Sequence, residues 1–224
     1  TLEATDTLVA AAGIEGYDFL DEAETANALV PILQEQGVEA IVVLLHEGGS
    51  QEPPPGNIDA CVGISGPVVA INDALDPAID AMITGHTHLP YNCVLDDAAG
   101  DPRIVTSAYS FGRVVSELNL VLDKRTQDVR RDLSTATNHL VDQDGTPDPA
   151  QTAIIERWQP LFDEIGNEVI GSTNEVITRG GTPPGSDRGV ESAAGNLVAD
   201  AQQWATDANY GAQVAFMNPG GVRS

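Results

Sequence analysis

Four segments of the first 123 residues carry the spacing of β-strands. Residues 40–45 and 81–84 are near-continuous apolar runs, the pattern of strands that are buried on both faces of a parallel sheet. Residues 103–106 and 113–123 alternate apolar and polar side chains, which predicts strands of a hairpin or of a sheet edge. These strands predict a layered α/β fold.

Helical spacing lies between the strands. Apolar residues recur on one face over 23–33, Asp21 and Glu24 form a capping box ahead of them, and Gly37 ends the helix. A shorter helix is predicted over 68–75. Each helix leads into an apolar run, as in an α-to-β step of an α/β layer structure.

The composition becomes polar from Asn138 to Pro149, which marks the predicted domain boundary. Beyond it the pattern predicts a helix that Pro160 bends or splits, then a strand, a second helix and a second strand, over residues 154–165, 171–178, 192–205 and 213–217.

Composition narrows the classes of partner. A hydrophobic content of 42% in 224 residues is enough for a sizeable core. The net charge of −24 would repel nucleic-acid polymers and anionic membranes, whereas a local site of metal and arginine could still bind a small phosphate ester. No run is long enough to span a bilayer, and the first twenty residues do not resemble a signal peptide.

Three of the four histidines follow the two apolar runs. His46 comes after the first run, and His86 and His88 come after the second. Ligands gather at the carboxyl ends of parallel strands, and imidazole is a good metal ligand. Any one of these histidines is most simply a hydrogen-bonded loop residue, but three in one context favour a metal site. We expect Gly85 to provide the sharp turn that aims the rings into one cavity.

These motifs resemble the 5′-nucleotidase family. Strand-His-x-Gly-Gly followed by strand-Gly-His-x-His is similar to the second half of its metallophosphoesterase domain, and residues 191–201 and 218–224 are similar to the opening of its carboxyl-terminal domain. The family's earlier motifs, Asp-x-His, Gly-Asp and Gly-Asn-His-Glu, are absent from these residues. The resemblance therefore implies a chain truncated at both ends.

The resemblance also implies an architecture. Residues 1–138 would form the carboxyl-terminal half of a layered α/β metallophosphoesterase sandwich. Residues 139–168 would form a helical linker, and residues 169–224 the beginning of an α/β carboxyl-terminal domain that binds substrate.

Site residues follow from the same resemblance. The cofactors would be two divalent metal ions, zinc, manganese or similar, with His46 and His86 on one ion and His88 on the other. The catalytic histidine would lie in the absent upstream part, and His139 is interpreted as exposed and without a role. The residues that would hold the substrate's phosphate, sugar or base are Arg188, Asn218, Gly220, Gly221 and Arg223.

The two cysteines, Cys61 and Cys93, lie on either side of the second histidine loop. In a reducing compartment they would be free thiols or spare metal ligands, and in an oxidising one they would pair. Because many members of the resembling family are exported, we expect a disulfide and a secreted, periplasmic or cell-surface location. A free buried cysteine remains the alternative.

The resemblance implies that the complete protein hydrolyses phosphate esters of nucleotides, while this stretch alone is inactive. The alternatives are a cyclic-nucleotide phosphodiesterase, a nucleotide-sugar hydrolase, or a catalytically silent homologue that binds nucleotide or metal. Besides its small substrate, we expect the chain to associate with the upstream segment or with itself through open sheet edges.

Overall fold

The computed structural model describes residues 5, 9–52, 57–142 and 144–222, and the chain divides into two units, Thr1–Thr146 and Pro147–Ser224. The three-part division into residues 1–138, 139–168 and 169–224 remains a prediction. The mixed α/β class is confirmed, since both helices and sheets are present.

The first unit is built on a four-stranded sheet. After a 3-10 turn, Ala11–Gly13, its elements are helix α1 (Glu22–Glu35), strand β1 (Val42–Leu44), helix α2 (Pro67–Ala74), and strands β2 (Ala81–Thr84), β3 (Tyr91–Asp96), β4 (Pro102–Ser107), β5 (Val114–Asn119) and β6 (Thr135–Leu140). The strand order is β1-β2-β4-β3. β1, β2 and β4 run parallel, β3 pairs antiparallel with β4, and β5 and β6 form a separate antiparallel pair.

The amino-terminal half of the capping box predicted for α1, the cap at Asp21, is confirmed. The side chain of Asp21 accepts a hydrogen bond from the backbone N–H of Glu24 at 2.6 Å. Gly37, just past the helix, has a φ of 78°, which a side chain would disfavour. α1 buries Ala23 and Val30 against the sheet, in one core with Val68, Met82 and others.

The predicted burial of the first apolar run is wrong for part of β1. This strand covers only three residues, lies at one end of the sheet order, and leaves the side chain of Leu44 77% exposed. β2 and β4, which have neighbours on both sides, carry the buried strand residues instead. A buried strand needs cover on both faces, and the described residues supply it for β2 and β4 rather than for β1.

A buried ionic network closes the sheet at the end where the parallel strands begin. The fully buried Arg103 donates to the backbone oxygen of Ile79 at 2.8 Å and lies 3.8 Å from Asp97. Arg131 donates to Asp80 at 3.0 Å and to Asp97 at 2.7 Å. Asp80 in turn accepts the backbone N–H of Ile41 at 2.8 Å and so holds the chain entering β1.

The pKa values of the two carboxylates in this network are shifted in opposite directions. Burial raises the pKa of Asp80, outweighing the hydrogen bonds from Ile41 and Arg131. Burial would also raise the pKa of Asp97. There, however, hydrogen bonds from the backbone of Asp101, from Arg131 and from the backbone of Ala99 prevail and lower the pKa below its ordinary value of 3.8.

The second unit contains two helices in its described residues, α3 (Pro149–Gly166) and α4 (Ala193–Tyr210). Asp148 and Ser192 cap their amino ends. α3 continues through Pro160, so of the two predicted effects of this proline the split is wrong, and the bend stays a prediction.

The strands predicted over 171–178 and 213–217 are also wrong. Neither segment is a strand in the part of the chain that the structure describes. Val176 and Phe216 are 85% and 90% exposed, so the apolar side chains that suggested strands do not pack into a core here. An isolated strand gains no ladder hydrogen bonds, because a strand is stabilised by a paired neighbour.

A disulfide joins Cys61 in the loop before α2 to Cys93 in β3. The pairing expected from the resemblance is thus present in the structure, and it ties the long loop after β1 to the sheet. No helix among the described residues has the length and apolar character needed to cross a membrane.

Candidate metal and substrate site

Two histidine loops meet at one edge of the sheet. His46 follows β1, and His86 and His88 follow β2, its parallel neighbour, with Leu44 in register with Ile83. The ring centroids of His46 and His86 are 5.3 Å apart, with the rings edge to face. The structure therefore brings together one histidine from each loop.

Hydrogen bonds lock the two loops against each other. The backbone N–H of Gly85 donates to the backbone oxygen of Glu47 at 3.1 Å, and the hydroxyl of Thr87 donates to the backbone oxygen of Gly49 at 2.8 Å. A Cβ at Gly48 would lie 2.3 Å from the oxygen of Gly85, far inside any real contact. Only glycine at position 48 allows this approach.

The expectation that Gly85 provides the turn is wrong. A Cβ there would meet its nearest neighbour, Nδ1 of His46, at an ordinary 3.6 Å. The turn is made by the histidines themselves, because His86 and His88 have φ values of 64° and 56°. Non-glycine residues rarely adopt this left-handed conformation, and such strain is concentrated at functional sites.

Tyr91 supports both loops from below. Its fully buried hydroxyl forms a hydrogen bond with the hydroxyl of Thr84, at the end of β2, and lies near the backbone of Gly49, in the loop after β1. Burial raises the pKa of Tyr91, and the charge of Glu47 adds to this effect, while the polar groups of Thr84 and Gly49 oppose it. The phenol therefore stays neutral, and it links the end of β2 to the loop after β1.

A third loop, after β4, also reaches this edge. The ring of Phe111 lies 5.4 Å from that of His88, and the guanidinium of Arg113 lies 5.3 Å from the rings of both Tyr109 and Phe111. Neither Tyr91 nor this loop was predicted from the sequence. The loop could have been found from its position directly after the strand predicted over 103–106, but no local pattern singles out Tyr91.

Imidazole nitrogens suit the divalent ions that the resemblance implies, and the convergence of His46 and His86 fits such an ion in part. Within the described ranges no three or more histidine, cysteine, aspartate or glutamate side chains form a metal-binding group. A complete coordination shell therefore needs further donors. His139 lies in β6, exposed and 2.9 Å from Glu117.

In the second unit Arg188 lies beside the predicted glycine turn. A Cβ at Gly220 would be 3.2 Å from Nη1 of Arg188, and the side chain of Asn218 accepts the backbone N–H of Gly220 at 3.1 Å. Gly221 closes the turn by donating to the backbone oxygen of Asn218 at 2.9 Å. Arg223 lies outside the described residues. Arg179, which no sequence motif singled out, lines the same small cavity as Arg188.

The chain is similar to several known proteins. No family model matches the chain. It is 34% identical over 226 residues to the cell wall protein Lmo0130 of Listeria monocytogenes, covering 97% of this chain and 28% of that protein. It is 28% identical over 187 residues to the 5′-nucleotidase of Diplobatis ommata, covering 82% of this chain and 30% of that protein. These matches support a fragment of the 5′-nucleotidase family.

The fold agrees with this resemblance. The structure of a 5′-nucleotidase precursor from Thermus thermophilus matches with a TM-score of 0.63 at 24% identity, over 85% of this chain and 36% of that one. The chain thus spans less than a third of the length of the two sequence relatives. The 5′-nucleotidase resemblance drawn from the histidine and glycine motifs is confirmed, and it implies a hydrolase in general terms.

Proposed function

We propose that the complete protein hydrolyses phosphate esters of nucleotides with the help of two divalent metal ions, zinc, manganese or similar. The observation that supports this most directly is the convergence of His46 and His86, one from each of two adjacent strand ends. Two imidazoles brought together at the carboxyl edge of a parallel sheet are typical of a metal site rather than of a packed core.

In this proposal His46 and His86 bind one ion and His88 binds the other. Such ions, when bound, neutralise charge on the phosphoryl oxygens and favour in-line attack. The chain's own contribution is to hold the donors in place, through the close approach at Gly48 and the buried hydroxyl of Tyr91. The remaining donors and the catalytic histidine belong to sequence upstream of this stretch.

Substrate binding is assigned to the second unit. Arg188 can bind a phosphate or sugar oxygen with two parallel hydrogen bonds, and Gly220 and Gly221 let backbone approach the ligand closely. Asn218 holds this turn. Arg223 completes the proposed set on the strength of the family motif alone.

The proposed location is outside the cytoplasm. A disulfide persists only in an oxidising compartment, and one of the relatives is named a cell wall protein. The net charge of −24 favours a small phosphate ester over a nucleic-acid polymer as substrate.

Metal titration tests the histidine assignment. His46→Ala and His86→Ala should each weaken zinc binding at least tenfold in isothermal titration calorimetry, since each removes a ligand. His139→Ala, which changes an exposed histidine far from the strand ends in sequence, should leave it unchanged. Equal effects in all three variants would refute the assignment.

Turnover tests the reaction. The chain alone should hydrolyse nucleoside monophosphates and bis-aryl phosphates slowly or not at all with manganese or zinc, and supplying the upstream segment should restore turnover. Ordinary enzymatic rates from this chain alone, roughly 1 to 1000 per second, would show that the site is elsewhere. Metal binding without turnover after restoration would favour a silent nucleotide-binding homologue.

A further inference from the structure

A rim of two aromatic rings and one guanidinium lies beside the histidine loops. It consists of Tyr109, Phe111 and Arg113, in the loop after β4. Thr84 at the end of β2 is in register with Ser107 at the end of β4. The loop that carries His88 and the loop that carries the rim therefore leave the sheet side by side.

The rim is in contact with the candidate metal site. The ring of Phe111 meets that of His88 edge to face, with the centroids 5.4 Å apart. Phe111 is nevertheless 78% exposed, so most of its ring is free to contact a ligand. An exposed aromatic ring that touches a histidine of the site is suited to packing against a planar group.

Arg113 adds an unpaired positive charge to this surface. Its guanidinium lies 5.3 Å from the centroids of both rings, which hold it by cation–π contact. In a chain with 34 acidic and 10 basic residues, Arg103, Arg130 and Arg131 all lie within 4.0 Å of a carboxylate. No such partner is found for Arg113 in the described ranges. Its N–H groups are therefore available to an anion.

The backbone supports a functional role for this loop. Among the described residues only five non-glycine positions have positive φ, and four of them are His86, His88, Tyr109 and Phe111. The values at Tyr109 and Phe111 are 66° and 59°. Strain of this kind persists where the surrounding structure holds a side chain in place, typically at ligand sites.

We propose that Phe111 and Arg113 bind a phosphate ester whose leaving group is planar and aromatic. The leaving group packs on the exposed face of Phe111, and Arg113 donates hydrogen bonds to phosphate oxygens. This inference rests on the proposed function, because it places the ester beside His88, and it names two binding residues in the first unit in addition to the turn around Arg188.

Binding, rather than turnover, tests the rim. The 224-residue chain would be titrated without metal by calorimetry, with phenyl phosphate and with glycerol 2-phosphate, which lacks a ring. Phe111→Leu should weaken the binding of phenyl phosphate about fivefold and leave the binding of glycerol 2-phosphate unchanged. Arg113→Gln should weaken the binding of both ligands about tenfold.

The matched control is Arg130→Gln, which removes an exposed arginine of the same unit that already pairs with Asp132. It should bind both ligands like the wild type. Because Phe111 and Arg113 are exposed, all variants should unfold at the wild-type urea midpoint.

Three results would overturn the proposal. They are no binding of phenyl phosphate by the wild type, an equal effect of Phe111→Leu on both ligands, or the same behaviour of Arg113→Gln and Arg130→Gln. A chain that binds phenyl phosphate through the rim, yet hydrolyses no ester when the upstream segment is supplied, would refute the proposed function while leaving the rim supported.

Discussion

Replacing Arg131 by methionine should lower the free energy of unfolding of the first unit by about 3 kcal/mol. Methionine keeps much of the aliphatic stem but removes the donors that bond Asp80 at 3.0 Å and Asp97 at 2.7 Å. Removing one partner of a buried ion pair costs about 3 to 5 kcal/mol. We expect the lower end, because Asp97 keeps Arg103 at 3.8 Å and Asp80 keeps the N–H of Ile41 at 2.8 Å.

The assay must report on the first unit alone. Both tryptophans, Trp158 and Trp204, lie in the second unit, so their fluorescence follows that unit and acts as an internal control. Amide hydrogen exchange of peptides from β2 and β4, measured across a urea series, reports on the first unit. With an m value of about 2 kcal/mol/M, the loss predicts a midpoint lower by about 1.5 M urea.

Arg130→Met is the matched control, because it makes the same change at the adjacent residue, whose ion pair with Asp132 is exposed. It should leave the midpoint unchanged. Adding Asp80→Asn to Arg131→Met should recover part of the lost stability, since it removes a buried charge that has lost its partner. A midpoint for Arg131→Met equal to that of Arg130→Met would refute the network's role.

Three further outcomes are expected. Gly48→Ala should destabilise the first unit by about 2 kcal/mol and weaken zinc binding. Gly13→Ala is the control, because a Cβ there meets nothing within 4 Å, and it should change neither stability nor zinc binding. Equal effects of the two substitutions would contradict the close approach of Gly48 to Gly85. The ionised side chain of Asp97 stabilises the fold fully above its ordinary pKa of 3.8, and this stabilisation is lost as pH falls through its lower folded pKa. Asp97→Asn should therefore make the free energy of unfolding, measured by urea unfolding at several pH values, less dependent on pH below about pH 4. Replacing Cys61 and Cys93 by serine should cost about 3 to 4 kcal/mol, because their bridge spans 32 positions, and two free thiols in the unfolded, unreduced wild type would rule the bridge out.

Local patterns were sufficient where the causes of structure are local. The cap of α1 at Asp21 and the cap of α4 at Ser192 depend on residues three positions apart, and both helices begin at or within one residue of their predicted starts. The apolar runs also placed His46 and His86 correctly at the ends of adjacent parallel strands. The loops after such strands could therefore be proposed as a site without coordinates.

Long-range pairing decided the rest. β3 and β6 are strands because they pair with β4 and β5, and the segments 171–178 and 213–217 are not strands because no described neighbour pairs with them. Their own side chains carry little of this information, since strand formation depends on a partner and on burial against it.

The chemistry of the site divides in the same way. The sequence alone determined which residue types could bind metal and phosphate and which strand ends carry them. Only the tertiary structure showed that Gly48, rather than Gly85, must lack a side chain, that Tyr91 lies beneath both histidine loops, and that Phe111 touches His88. These contacts join residues 7 to 37 positions apart, and a local sequence pattern does not encode them because they arise only when the sheet brings its strand ends together.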